Sequence, residues 1–450
     1  MFATRTFAAL AILATAVSAS AQSPSETVLR GLSTVTVLSK TSAGRAALSA
    51  NLSVTSGIQT GAIPQPTLLP DMEQRGQSLR DADITTANAS QMADALGTAL
   101  GAAYVARAHA IDRDHYTVAA DSITRVLRMA TGTSGPHSNE GKYLFANGTT
   151  NGTTPVSPEW MKIITSQAGQ TDPFGIAYHL PACKPDHVPA CDTKADKYGD
   201  SRPFQTAPEL RRFTGRDSFN MPIDNTQYLR GPAMDLTDSP SYPSGHTTYG
   251  YTATLILGLL VPERYPQMIA RGAEYGNSRI LLGAHYAMDV LGGRTLALYD
   301  TAHLLAEDAA YGKNAAGFRK ALEQAKADMT KVLESACGKS VAECATEDTS
   351  RFSDAANVHA FYASTQTYSL PAVFAKTAAA KEDVATIAPE AGYLLTAAYP
   401  SLTLKQADDI LTETEGPGGG FLDNGSAFGL YSRINLYEAA LRAQQLATKH

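Results

Sequence analysis

Three consecutive apolar segments, residues 244–261, 265–276 and 284–305, constrain this chain more than any other feature. Each carries a helical apolar pattern, and the two-residue alternation of a half-buried strand is almost absent from the 450 residues. The expected fold is therefore all-α, a core of packed helices. Ahead of that core the pattern predicts a helix over 83–109, with Asp81 or Asp83 as cap and Met92, Leu96, Leu100 and Val105 on one stripe, and a second over 117–129. Residues 131–158 repeat Asn-Gly-Thr-Thr at Asn147 and Asn151 and predict a surface loop, and 160–167 one or two helical turns. Beyond Asp308, helices are expected at 315–336, 367–380, 404–412 and 432–448, with the glycine run Gly416-Pro417-Gly418-Gly419-Gly420 as a surface loop or pocket rim.

The first 21 residues stand apart. Arg5, an apolar run over 7–17 and Ala19-Ser20-Ala21 have the layout of a secretory leader. The expected division is a leader over 1–21, an irregular or partly helical Ser/Thr-rich arm over 22–80, a helical core over 81–308 and a helical C-terminal extension over 309–450, packed on the core or part of it. Without the leader's single charge the formal balance of −6 becomes −7, which argues against nucleic acid as a partner. No later apolar run has the roughly 18–20 residues of a membrane span, so the destination is secreted or periplasmic. The four cysteines fall into two local pairs, Cys183 with Cys191 and Cys337 with Cys344, as disulfides in an oxidising compartment would. His179, Cys183, His187 and Cys191 also recur at every fourth position. However, Pro181, Pro185 and Pro189 forbid the helix that would align them, and no metal site is expected.

The chemistry concentrates between 192 and 289. Arg202 precedes Pro203, Ser244-Gly245-His246 follows Pro243, and Ser278-Arg279 is followed by His285 and Asp289. His285 and Asp289 are four apart and are expected on one face of a helix, the carboxylate orienting the imidazole. Arg202 and Arg279 offer permanently charged forks for an oxyanion, and Pro203 biases Arg202 toward delivery from a loop. Ser244 and Gly245 would open a helix whose amides face the anion, the hydroxyl adding a donor and the glycine permitting close approach. His246 suits the protonation of a leaving group, and His285 suits a nucleophile.

This ordered set resembles the signature of the type 2 phosphatidic acid phosphatase superfamily, which includes bacterial class A acid phosphatases and vanadium haloperoxidases. The resemblance implies an all-helical core and metal-free hydrolysis of phosphate monoesters through a phosphohistidine, with His285 as nucleophile, His246 as general acid and Asp289 orienting His285. The second and third motifs match fully. In the first, the family places a lysine seven residues before the arginine, where this chain has Ala195; Lys194 and Lys197 flank it, and Lys197 is favoured because Gly199 breaks the intervening helix. The expected partner is a small-molecule phosphate ester, with no cofactor, vanadate acting only as a phosphate mimic. The alternatives are a vanadium-dependent haloperoxidase, in which vanadate is the cofactor, and a non-catalytic phosphate-binding protein.

Overall fold

The computed structural model describes residues 38, 40–64, 66–82, 89–108, 119–141 (side chains only to 132), 202–203, 211–225, 242–309, 311 and 315–448. The leader, the sequons at Asn147 and Asn151, the turns at 160–167, both candidate lysines and the pair Cys183 and Cys191 lie outside these residues.

The described part of the arm is two helices. α1 (Ser42–Thr60) is capped by Thr41, whose hydroxyl accepts from the Gly44 amide at 3.0 Å, and ends on Gly61 in the left-handed region. α2 (Asp71–Arg80) carries Asp71 and Glu73 in its first turn and Arg80 in its last, the arrangement that the helix dipole favours. The helix expected over 83–109 is broken instead. A 3₁₀ segment (Ser90–Leu96) ends at Gly97, whose φ of 102° no helix accommodates, and α3 (Thr98–Ala108) starts afresh. Val105, placed on the apolar stripe by its spacing, is exposed. α4 (Ser122–Gly141) continues through Gly141, eleven residues into the stretch expected as a loop. A hairpin of β1 (Thr214–Arg216) and β2 (Pro222–Asp224), too short to show alternation, pairs Gly215 with Ile223.

α5 (Gly245–Leu260), α6 (Tyr265–Leu281) and α7 (Ala287–Leu305) form the centre, buried along almost their whole lengths. Glycines let them approach closely: a Cβ on Gly250 would lie 2.3 Å from Tyr275, and one on Gly293 would lie 2.7 Å from the Ser244 carbonyl. The second contact seats the start of α5 against the first turns of α7. α8 (Phe318–Cys337), α9 (Ala355–Thr365), α10 (Leu404–Glu413) and α11 (Leu436–Ala447) follow, and a Cys337–Cys344 disulfide staples the end of α8. One apolar cluster runs from Leu68 through the central helices to Ala443, so α8–α11 share the core of α5–α7. The helix expected over 367–380 is reduced to Ala375–Ala378, because Tyr368 and Ser369 adopt positive φ and Pro371 follows. The glycine run rims a cavity of about 160 Å³ beside Met288 and Leu291. Among the described residues the fold is thus helical with one small hairpin, and no helix is long and apolar enough to cross a membrane.

Candidate active site

The site is built where α6 ends and α7 begins. After α6 the chain turns through Gly283, whose φ is 74°, and the amides of Ala284 and His285 both donate to the Arg279 carbonyl, at 3.0 and 3.3 Å. His285 therefore lies before α7 and not on it, which corrects the expectation of a shared helical face; Asp289 is the third helical residue. The pair meets nonetheless, His285 Nδ1 lying 3.4 Å from Asp289 Oδ2, because the turn folds the imidazole back over the first turn of α7. The same Oδ2 accepts from the Tyr286 amide at 2.8 Å. Both side chains are buried.

Arg202 comes from a separate segment, and its Nη1 lies 2.9 Å from His285 Nε2 and donates to the Ala284 carbonyl at 3.2 Å. A guanidinium can only donate, so Nε2 must be the acceptor and the ring proton must sit on Nδ1, facing Asp289. Three residues thus assign a tautomer that none could assign alone. The lone pair a nucleophile needs is on Nε2, pointing at a cation.

The second motif joins through the backbone. The Ser244 amide donates to the Asp289 carbonyl at 3.0 Å, while Ser244 Oγ accepts from the Thr247 amide at 3.2 Å and from Thr247 Oγ1 at 2.9 Å. Ser244 is thus the N-cap of α5, a task beyond the hydroxyl donor expected of it. Among the described residues, a Cβ on Gly245 would meet only Tyr249, at 4.0 Å. His246, one residue further, is exposed, in contrast to buried His285.

Arg279 is held differently from Arg202. Nη1 donates to the Ala82 carbonyl at 3.1 Å, Nη2 donates to the Asp81 carbonyl, and the guanidinium lies 4.4 Å above the Tyr275 ring. Nε and Nη2 also donate to Ser278 Oγ, at 3.2 and 2.9 Å. The carbonyls that Arg279 reaches thus belong to the loop after α2, whereas Arg202 reaches the backbone and ring at His285.

Comparison with known proteins bears on this arrangement. Residues 177–305, which contain all three motifs, match the family described as PAP2 superfamily. Over that stretch the chain is similar to the PAP2 superfamily. It is 36% identical over 111 residues to an acid phosphatase of Zymomonas mobilis, covering 25% of this chain and 39% of the relative. It is 44% identical over 69 residues to a non-specific acid phosphatase of Salmonella typhimurium, covering 15% of this chain and 28% of the relative. A non-specific acid phosphatase of Providencia stuartii is 34% identical over 97 residues, covering 22% of this chain and 36% of the relative. The matched stretch spans well under half the length of each of these relatives.

Several residues that brace the central helices were not singled out for that role from the sequence. Asp81, read there only as a possible cap, receives Arg271 Nη1 and Nη2 at 2.8 and 2.5 Å, with all these side chains buried. Arg271 also reaches Asp94 and Glu274, and Arg351 closes the network on Glu274 at 2.5 Å and Asp94 at 2.7 Å. Burial alone would raise the Asp94 carboxyl, but Arg271 and Arg351 hold it well below the usual range. Tyr242 is buried beside Asp289, and desolvation, then the carboxylate charge, keep its phenol protonated. The spacing of Arg271 and Glu274, three apart on a helix, was the one legible sign of this network.

Proposed function

We propose that this protein is an exported acid phosphatase that hydrolyses phosphate monoesters through a phosphohistidine on His285. The observation that carries the reading is the Arg202–His285–Asp289 chain, in which Nδ1 bears the proton and Nε2 the lone pair. The names of the relatives and the PAP2 match support the same chemistry. The Cys337–Cys344 disulfide and the leader-like first 21 residues support export.

In the proposed sequence Arg202 transfers its donors from Nε2 to a phosphoryl oxygen as the ester arrives. Arg279, the Ser244 hydroxyl, the Gly245 amide, and Lys197 or Lys194 hold the remaining oxygens. Nε2 attacks phosphorus, the bond to the ester oxygen breaks, and His246 gives its proton to the departing alkoxide. Asp289 stabilises the Nδ1 proton as the ring takes up charge. Water then attacks phosphorus and yields its proton to His246, the P–N bond breaks, and inorganic phosphate leaves with His285 neutral again. Vanadate, a mimic of the five-coordinate phosphoryl group, is expected to inhibit competitively.

Turnover of p-nitrophenyl phosphate by the full chain tests the reading. Release of phosphate that vanadate suppresses supports it. No hydrolysis, together with peroxide-dependent oxidation of bromide or chloride after vanadate loading, would replace it with the haloperoxidase alternative.

A further inference from the structure

The first helical amides of a buried helix need acceptors, and at α7 most of them come from outside the helix. The Tyr286 amide is taken by Asp289 Oδ2. The Ala287 amide donates to Thr55 Oγ1 at 3.0 Å, and the Met288 amide donates to Asn51 Oδ1 at 2.9 Å. Thr55 and Asn51 are four residues apart on α1, and thus on one face of it; both are buried, and they lie 232 and 237 residues from their partners in the chain. Helix α1 thus supplies in trans the acceptors for the first two helical amides of α7.

This matters because of where Asp289 stands. An acid at the third helical position is the natural partner of orphan amides at a helix start. If the amides of Ala287 and Met288 lacked acceptors, they would compete for the carboxylate that faces His285 Nδ1. By satisfying them, α1 keeps these two amides from the Asp289 carboxylate. We propose that Asn51 and Thr55 are positioning residues of the candidate site, which fix the His285–Asp289 pair by saturating the start of α7. The functional unit then extends beyond residues 177–305 to include α1. The consequence for turnover rests on the phosphatase reading, but the geometry does not.

The test uses the full chain carrying Thr55→Val, which keeps shape and removes the acceptor, Asn51→Leu, and Thr55→Ser, which restores the acceptor. The first readout is the imidazole N–H proton resonance of His285, assigned by its loss in His285→Gln. In the parent it is expected downfield and slow to exchange; in Thr55→Val and Asn51→Leu it moves upfield or is lost, and Thr55→Ser restores it. The second readout is p-nitrophenyl phosphate kinetics. There kcat should fall by about 10²-fold in Thr55→Val, the scale of a small misplacement of catalytic groups, with KM within about two-fold. An unchanged resonance and unchanged kcat in folded Thr55→Val would overturn the proposal, whatever its melting temperature. A parent that does not hydrolyse the ester but whose resonance responds as described sinks the phosphatase reading and leaves the positioning role standing. Should Asn51→Leu not fold, Thr55→Val against Thr55→Ser decides alone.

Discussion

The centre of the molecule and its C-terminal third bury charge in opposite ways. Around α6, three carboxylates (Asp81, Asp94 and Glu274) share two guanidiniums, Arg271 and Arg351, at distances down to 2.5 Å, and Asp94 is held well below the usual range despite burial. In the C-terminal third a single guanidinium, Arg433, faces Glu415 at 2.9 Å, Glu382 at 3.5 Å and Asp423 at 3.8 Å. There burial wins: it raises Glu382, with Asp423 adding to the effect, and it raises Glu415. Asp408 is pushed up to about 7 by burial, then by Asp409, Glu390 and Asp383, against the lowering effect of the Gly392 amide. Arg271 and Arg351 thus lower the Asp94 carboxyl, whereas burial raises those of Glu382, Glu415 and Asp408. The region that positions the site should therefore be indifferent to mild acid, and the region packed behind it should gain from it.

The largest effect separates chemistry from scaffold. His285→Ala should lower kcat by on the order of 10³-fold or more, leaving the melting temperature near that of the parent. Asp408→Asn, in the C-terminal third, should leave kcat unchanged. Next in size, Arg271→Met leaves Asp81 and Glu274 buried beside too little positive charge and should cost about 3–5 kcal/mol in denaturant titration. Arg433→Met should cost less at pH 5 than at pH 8, because burial raises the Glu382 and Glu415 carboxyls that it abandons. Equal costs at both values would remove the contrast between the regions.

A smaller effect follows from Asp408 itself. Its folded value of about 7 exceeds the roughly 3.9 of an unfolded aspartate, so the folded state holds the proton more tightly. The stability it contributes is fully present below the unfolded value and is lost as pH rises through the folded one. Hydrogen-exchange protection of α10, corrected for intrinsic rates, should decline between pH 5 and 8 in the parent and less steeply in Asp408→Asn. Smallest of all, Lys405→Ala removes an exposed pair with Asp409 and should change nothing measurable.

What could be read from the sequence follows from the range of the interactions involved. The central helices were legible because their apolar pattern is long; Ser244 and Val261 bracket α5 as expected, and α6 and α8 shift by a few residues at their ends. The start of α7 moved by three residues, because the hydrogen bonds from Ala284 and His285 to the Arg279 carbonyl hold the chain in a turn that local propensity does not show. Arg202, His285 and Asp289 could be singled out by residue type and order, but the tautomer needed the Arg202 contact. The trans-caps Asn51 and Thr55 and the Asp81–Arg271 pair left no such trace. Their partners lie roughly two hundred residues away, and a Ser/Thr-rich arm gives no reason to look for them. The stretch after α9 failed for a local reason, two successive left-handed residues ahead of Pro371.

The central claim is that Arg202 and Asp289 present Nε2 of His285, and no other atom, to phosphorus. Rapid alkaline quench of the full chain with a phosphate monoester, followed by ³¹P NMR of the trapped protein, tests it directly. One phosphoryl group on Nε2, absent from His285→Ala, is the expected result; phosphate on Nδ1, on another residue or on none while turnover proceeds would contradict it.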